Sequence, residues 1–147
     1  MSMFNALEIS GSAMQAERQR AEVVAANMAN AETTHTPSGG PYRRKEVVFS
    51  SSGNTPFQML LAGFRRLTGR ANPAVRISRI VNDPAPPLKK YEPGHPDADS
   101  SGYVSYPAIN PIEEMVDLMG AVRAYQLNAA AVSATKQMIQ GSMDILK

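Results

Sequence analysis

NPIEEMVDLMGAVRAYQLNAAAVSATKQMIQGSMDILK, residues 110–147, decides the fold. Asn110 carries a side-chain oxygen suited to an N-cap, Pro111 fits the first helical position, and Glu113 stands where a capping box places its acid. Glu113, Glu114 and Asp117 lie at the positive end of the helix dipole, Lys136 and Lys147 toward the negative end. No proline follows Pro111, so the pattern predicts one helix from Pro111 to Lys147. Alternate steps of three and four from Met115 reach Leu118, Val122, Tyr125, Ala129, Val132, Lys136, Ile139, Met143 and Leu146. All but Lys136 are apolar. So narrow a stripe is a coiled-coil seam rather than the broad face of a core helix, with an ordinary three- or four-helix bundle as the plain alternative. At about 1.5 Å per residue the helix runs roughly 50 Å, whereas a compact chain of this size is about 40 Å across. It is expected to overhang its own domain and to need a partner helix.

The amino terminus offers a second stripe. Ser2 or Asn5 can cap a helix, with Glu8 three residues beyond Asn5. Phe4, Leu7, Gly11, Met14, Arg18, Ala21, Ala25 and Met28 follow the same spacing, interrupted by Gly11 and Arg18. The small residues Gly11, Ala21 and Ala25 would let a neighbouring helix come close. The helix should end near Asn30, since asparagine tolerates the left-handed conformation that closes helices.

Between these helices the chain is turn-rich. Residues 33–41 contain Pro37, Gly39, Gly40 and Pro41 and read as a loop. Strands are expected over 42–49, 75–81, 89–92 and 103–106, and a short amphipathic helix over 57–67. Residues 83–87, DPAPP, suit an extended linker. The predicted fold is mainly α with small β, divided into an amino-terminal helix (1–31), an irregular β-containing middle (32–109) and a carboxyl-terminal helix (110–147).

Composition narrows the function. With 9 Met, 11 Pro, 10 Gly and no Trp or Cys, the chain suits helices joined by irregular structure, and it has no disulfide, thiolate ligand or cysteine nucleophile. It lacks an apolar run of about 18 residues, so no membrane span is expected. The start of the chain has neither a basic region nor a continuous apolar core, unlike a Sec signal peptide. Residues 43–90 hold ten of the 15 Lys and Arg against two acids, Glu46 and Asp83, a net of +8; the remainder carries five bases and 11 acids, a net of −6. A basic middle between acidic ends fits either nucleic acid or a surface that meets acidic patches on another subunit.

Candidate chemistry is sparse. His95, Asp97 and Asp99 are the one group resembling a metal or acid–base site, but their spacing matches neither an EF-hand nor a zinc helix. Asp beside Pro and Gly also makes turns by bonding its own backbone, and that is the expected role. Asn27 and Asn30 are expected as helix caps, Met115, Met138 and Met143 as adaptable packing. Neither a phosphate-cradling Gly loop nor a nucleophile elbow is present. No catalytic residue, metal, cofactor or small-molecule substrate is expected.

Several stretches together resemble the flagellar rod and hook proteins. Residues 24–33, VAANMANAET, with Asn27, Asn30 and Thr33, are similar to a motif shared across that family. GGPYRRK (39–45), YEPGHPDAD (91–99, with Pro93, Gly94, His95, Pro96, Asp97 and Asp99) and GYVSYP (102–107, with Gly102 and Tyr103) resemble its proximal-rod members, as do EEMVDL (113–118) and Arg123-Ala124-Tyr125 followed by Asn128. The likeness fades over 50–70, and Val122 and Ser133 depart from the family pattern. The resemblance implies a structural subunit of the bacterial flagellar basal body, assembling with its own copies, other rod subunits and the MS-ring/rod adaptor into a helical tube that transmits torque across the periplasm. It also implies export through the flagellar type III apparatus. In that family the terminal helices order on assembly into an inner coiled-coil layer. Another axial subunit of the family, a helical nucleic-acid-binding module using residues 43–90, and a metal-dependent enzyme at His95, Asp97 and Asp99 are the rival readings.

Overall fold

The computed structural model describes residues 3–52 and 74–144. Helix α1 (Met3–Ala29) leads into strand β1 (Lys45–Ser52); β2 (Ala74–Asn82), β3 (Leu88–Tyr91) and β4 (Tyr103–Tyr106) follow, and helix α2 (Pro111–Asp144) closes the described chain. The architecture is two long terminal helices around a middle of small sheets, as the sequence pattern predicts. The helix expected over 57–67, the cap at Ser2 and the seam residue Leu146 lie outside the described residues.

The caps show why the helices start and stop where they do. Asn110 Oδ1 accepts the Ile112 N–H at 3.1 Å and Asn110 O accepts the Glu114 N–H at 3.1 Å, so Asn110 is the N-cap of α2. The close of α1 differs from expectation. No non-glycine residue among those described has positive φ, so Asn30 is not left-handed. Instead the Asn30 side chain turns back and donates to Ala26 O at 2.8 Å, satisfying a last-turn carbonyl. Thr33 Oγ1 then donates to Asn30 Oδ1 at 3.2 Å, and the Tyr42 N–H reaches Thr33 O at 3.0 Å. That last bond uses Tyr42 to close the loop, which is why β1 begins at Lys45 rather than at Tyr42.

The strands form two two-stranded sheets, β1 with β2 and β3 with β4. β3 and β4 run antiparallel, pairing Leu88 with Tyr106 and Tyr91 with Tyr103. The chain divides into two compact units. One comprises Met1–Arg18, Phe49–Ser78 and Val122–Lys147; the other comprises Gln19–Val48 and Arg79–Ala121.

In the first unit Ala16 and Thr135 are buried. The Val75 N–H donates to Ser12 Oγ at 3.1 Å, tying the start of β2 to α1. Side chains on the outer part of α2 bond one turn back along their own helix: Asn128 to Ala124 O and Thr135 to Ala131 O, each at 2.8 Å. The second unit holds Val24, Asn27, Val104, Ile109, Glu114 and Ala121 in its interior. Two of those six are polar, and they face each other.

Candidate functional site

The interior of the second unit is organised by Asn27, on the last turns of α1. Its amide nitrogen donates to Lys45 O at 2.9 Å and to Glu114 Oε2 at 3.0 Å. Its oxygen accepts the Lys45 N–H at 2.9 Å and the Tyr42 hydroxyl at 3.2 Å. Both donors and both acceptor positions of the amide are thus used. Asn27 grips the backbone of Lys45 from both sides, as a neighbouring strand would. The expected capping role belongs to Asn30 alone.

Glu114, one per cent exposed, carries the network onward. Its other oxygen accepts Arg44 Nε at 2.5 Å. Arg44 also pairs with Glu46 at 2.7 Å, and lies 3.8 Å from Asp83 and 3.7 Å from Asp117. Asp117 in turn meets Arg20 of α1 at 3.3 Å. One guanidinium therefore stands among four carboxylates drawn from β1, the segment after β2, and α2. The hydrogen bond to Glu114 raises the Arg44 pKa above its ordinary value despite partial burial. Burial, and then the charge of Glu114, raise that of the Tyr42 hydroxyl. A planar fork with several donors suits this role, and a lysine would not.

The cluster joins three stretches that carry the family resemblance: 24–33 through Asn27, 39–45 through Tyr42 and Arg44, and 113–118 through Glu114 and Asp117. It also removes Arg44 from the basic strip read in the sequence. Arg43, Lys45, Arg79, Lys89 and Lys90 remain exposed in this unit.

The turn-rich loop between β3 and β4 is closed by its own backbone and by Asp99. Asp99 Oδ1 accepts the N–H groups of Ser101 at 2.8 Å and Tyr103 at 2.9 Å, and these bonds lower its pKa. The Asp97 N–H donates to His95 Nδ1 at 3.1 Å, while Asp97 Oδ2 accepts the Thr34 hydroxyl at 2.6 Å. Among the described residues no group of three or more His, Asp or Glu is arranged to hold a metal. Pro93, Gly94 and Pro96 are exposed, and His95 stacks edge-on to Tyr106 with ring centroids 6.3 Å apart. Gly102 has φ +79°, and a Cβ there would stand 2.8 Å from Tyr91 Cε2. Tyr91 itself packs edge-on against Tyr103 at 5.3 Å.

The seam residues separate into two sets. Leu7, Met14, Ala21, Met28, Leu118, Ala129, Val132 and Ile139 are half-buried. Phe4, Ala25, Met115, Val122, Tyr125 and Met143 are exposed, as is Arg123 beside them. The inward face of α2 shares Leu118, Val132 and Ile139 with the seam and adds Glu114, Ala121, Asn128 and Thr135; that of α1 runs through Ala13, Ala16, Arg20, Val24 and Asn27. Ile112, Val116, Met119 and Leu127 are also more than half exposed. No helix among the described residues is long and apolar enough to cross a membrane.

An interior pinned by motif residues, with apolar helix faces left open, is the organisation of a structural subunit, and the relatives agree. The family described as flagella basal body rod protein matches residues 7–34, and that described as flagellar basal body rod FlgEFG protein C-terminal matches residues 100–145. The chain is similar to the flagellar basal-body rod protein FlgC of Bacillus subtilis, 38% identical with all of both chains covered. It is similar to the FlgC of Borreliella burgdorferi, 35% identical over all of this chain and 99% of that one. For the FlgC of Escherichia coli O157:H7 the identity is 37% over 95% of this chain and 94% of the relative. The chain belongs to the FlgC family of flagellar basal-body rod proteins. It is a structural subunit of the rod in the flagellar basal body, where it assembles with other rod components.

Proposed function

We propose that the chain is a subunit of the proximal rod, and that the seam residues of α1 and α2 form a coiled-coil layer with neighbouring subunits. On this reading residues 1–31 and 110–147 make the assembly layer, residues 32–109 face outward, and the tube they build transmits torque. Copies of the same chain, other rod subunits and the MS-ring/rod adaptor are its partners, and export through the flagellar type III apparatus delivers it. The observation that carries the reading is the exposure of Met115 at 53%, Val122 at 45% and Met143 at 64% on the seam of α2, while Leu118, Val132 and Ile139 of the same seam are only half-buried by the chain itself. Methionine-rich faces adapt to more than one neighbour. Repeated heterologous contacts of this kind propagate into tubes and filaments.

The test is assembly in cells. Replacing Met115 and Val122 together by Asp changes side chains that the chain itself leaves about half exposed, so the subunit should fold and be exported while rods and motility are lost. Normal rods in that variant would end the proposal.

A further inference from the structure

We propose that a groove between α1 and the strands β1 and β2 receives the first turns of α2 from a second copy of this chain. The proposal rests on the reading that copies assemble with one another, and it names a contact separate from the helix seam. Both surfaces belong to the second compact unit, where the residues of the Arg44 cluster fix them.

The groove has two halves. The larger, about 510 Å³, has Val23, Ala26 and Ile80 among its lining residues, with Lys45 and Asn82. Glu22 is the one acid in it. The smaller, about 250 Å³, is lined by Thr36, Ser38 and Arg43 and again by Lys45 and Asn82, so the halves are continuous. Ile80 is 51% exposed there. Arg44 turns inward to Glu114, whereas Arg43 and Lys45 on either side of it are exposed. Asn27 holds Lys45 by its backbone, and the Lys45 ammonium lies 5.7 Å from the centroid of the Tyr42 ring. An apolar floor beside fixed positive charge calls for an occupant with large apolar side chains next to a carboxylate.

The outward side of α2 has that pattern in its first turns. Ile112 is 74% exposed, Val116 63% and Met119 56%, and at 3.6 residues per turn the three fall within about 60° of one another. Glu113 is exposed at the edge of this stripe, while Glu114, roughly opposite Val116 around the axis, is buried. Among the described residues neither Glu113 nor Arg43 has an oppositely charged group within 4.0 Å, so each can supply what the other lacks. The exposure of Ile112 and Val116 means that the chain's own helix does not fill its groove. Two different surfaces meeting across copies make a heterologous contact, which repeats from one copy to the next. The charge pair would fix the register of that contact.

The chain has no cysteine, so disulfide trapping in isolated basal bodies tests the contact directly. Ile80→Cys combined with Val116→Cys should give, on mild oxidation, covalent multimers longer than a dimer, and neither single variant should. Rods without such multimers, or a disulfide closed within one chain, would overturn the proposal. Charge reversal is the second arm, and it decides if the cysteine variant builds no rods. Arg43→Glu and Glu113→Arg should each lower the yield of rods at least tenfold, and the two together should restore at least half of it. Singles without effect would overturn the groove contact and leave the seam reading standing. Damaging singles without rescue would give the groove to a different rod component and overturn the second copy as occupant. Normal rods in the Met115 and Val122 variant would end the seam reading and leave a trapped groove contact in place.

Discussion

Asn27 and Glu114, 87 positions apart in sequence, meet at 3.0 Å with each side chain about 1% exposed. The contact makes the interior of this unit partly polar, and its stability depends on complete pairing. Asn27→Ala strips partners from the Lys45 backbone, the Tyr42 hydroxyl and Glu114 in one step. Leaving buried polar groups unsatisfied costs about 1–3 kcal/mol each, so a loss of roughly 2–4 kcal/mol after relaxation is expected. Urea unfolding of the full chain measures it. A shift under about 0.5 kcal/mol, the usual range of a surface substitution, would mean that Asn27 does not hold this interior together.

Arg44 and Glu114 should be strongly coupled. Removing one partner of a buried ion pair strands the other charge and typically costs about 3–5 kcal/mol, whereas replacing both by apolar residues is often nearly neutral. Arg44→Met and Glu114→Leu are therefore each expected to destabilise, and the double variant to be more stable than the sum of the singles predicts. A double-mutant cycle should give a coupling on the order of 1–3 kcal/mol. Additive singles would mean that Glu46, Asp83 and Asp117 hold Arg44 without help from Glu114.

The polar character of this interior explains what the sequence made legible. Helix ends were readable because Asn110, Pro111 and the proline-free run after it are local signals. The β3–β4 turn was readable for the same reason, through Asp99 and Gly102. The inward helix faces were readable only in part. Hydrophobic spacing selects Leu118, Val132 and Ile139, which lie on the inward side of α2, but it also selects Met115 and Val122 where the structure buries the adjacent Glu114 and Ala121, and it passes over Thr135. Arg20, Asn27 and Glu114 look like surface residues until their partners are known, and those partners lie up to 97 residues away. The usable signal was that three motif stretches each contain polar residues able to pair, which singles out the residues but not the pairing.

Gly102 is required twice over. Its φ of +79° disfavours any side chain, and an added Cβ would collide with Tyr91 Cε2 at 2.8 Å. Gly102→Ala should open the β3–β4 loop and separate Tyr91 from Tyr103, with a loss of roughly 1–3 kcal/mol from backbone strain alone. Tyrosine near-ultraviolet dichroism reports the ring pair. Adding Tyr91→Ala should relieve the collision and only part of the destabilisation; complete recovery would show that φ contributes nothing.

The same loop should loosen in acid. Backbone N–H groups of Tyr103 and Ser101 hold the Asp99 pKa below its ordinary value, and hydrogen bonds from Lys90 and then Tyr106 do the same for Glu92. A carboxylate with a depressed folded pKa adds stability above its unfolded pKa of about 4, and that contribution disappears as pH falls through the folded value. Amide exchange at Ser101 and Tyr103, corrected for intrinsic rates, should accelerate below about pH 4 and stay flat from there to neutrality. Asp99→Asn should remove most of the acid step; an unchanged step would assign it to other carboxylates.

The width of the assembling surface can be decided on α2 itself. Val122 and Leu127 are both exposed, at 45% and 72%, but five residues on a helix place them well over 100° apart around the axis. Val122 lies on the narrow stripe with Met115 and Tyr125; Leu127 lies off it. A coiled-coil layer buries a strip along each helix and leaves the flank wet. Val122→Asp should therefore abolish rod assembly, whereas Leu127→Asp should leave assembly and swimming close to normal, as scored by rod isolation and motility in soft agar. If Leu127→Asp is as damaging as Val122→Asp, neighbours surround the helix on several sides and the seam is too narrow a description. If only Leu127→Asp is damaging, the contact face has been placed on the wrong side of the helix.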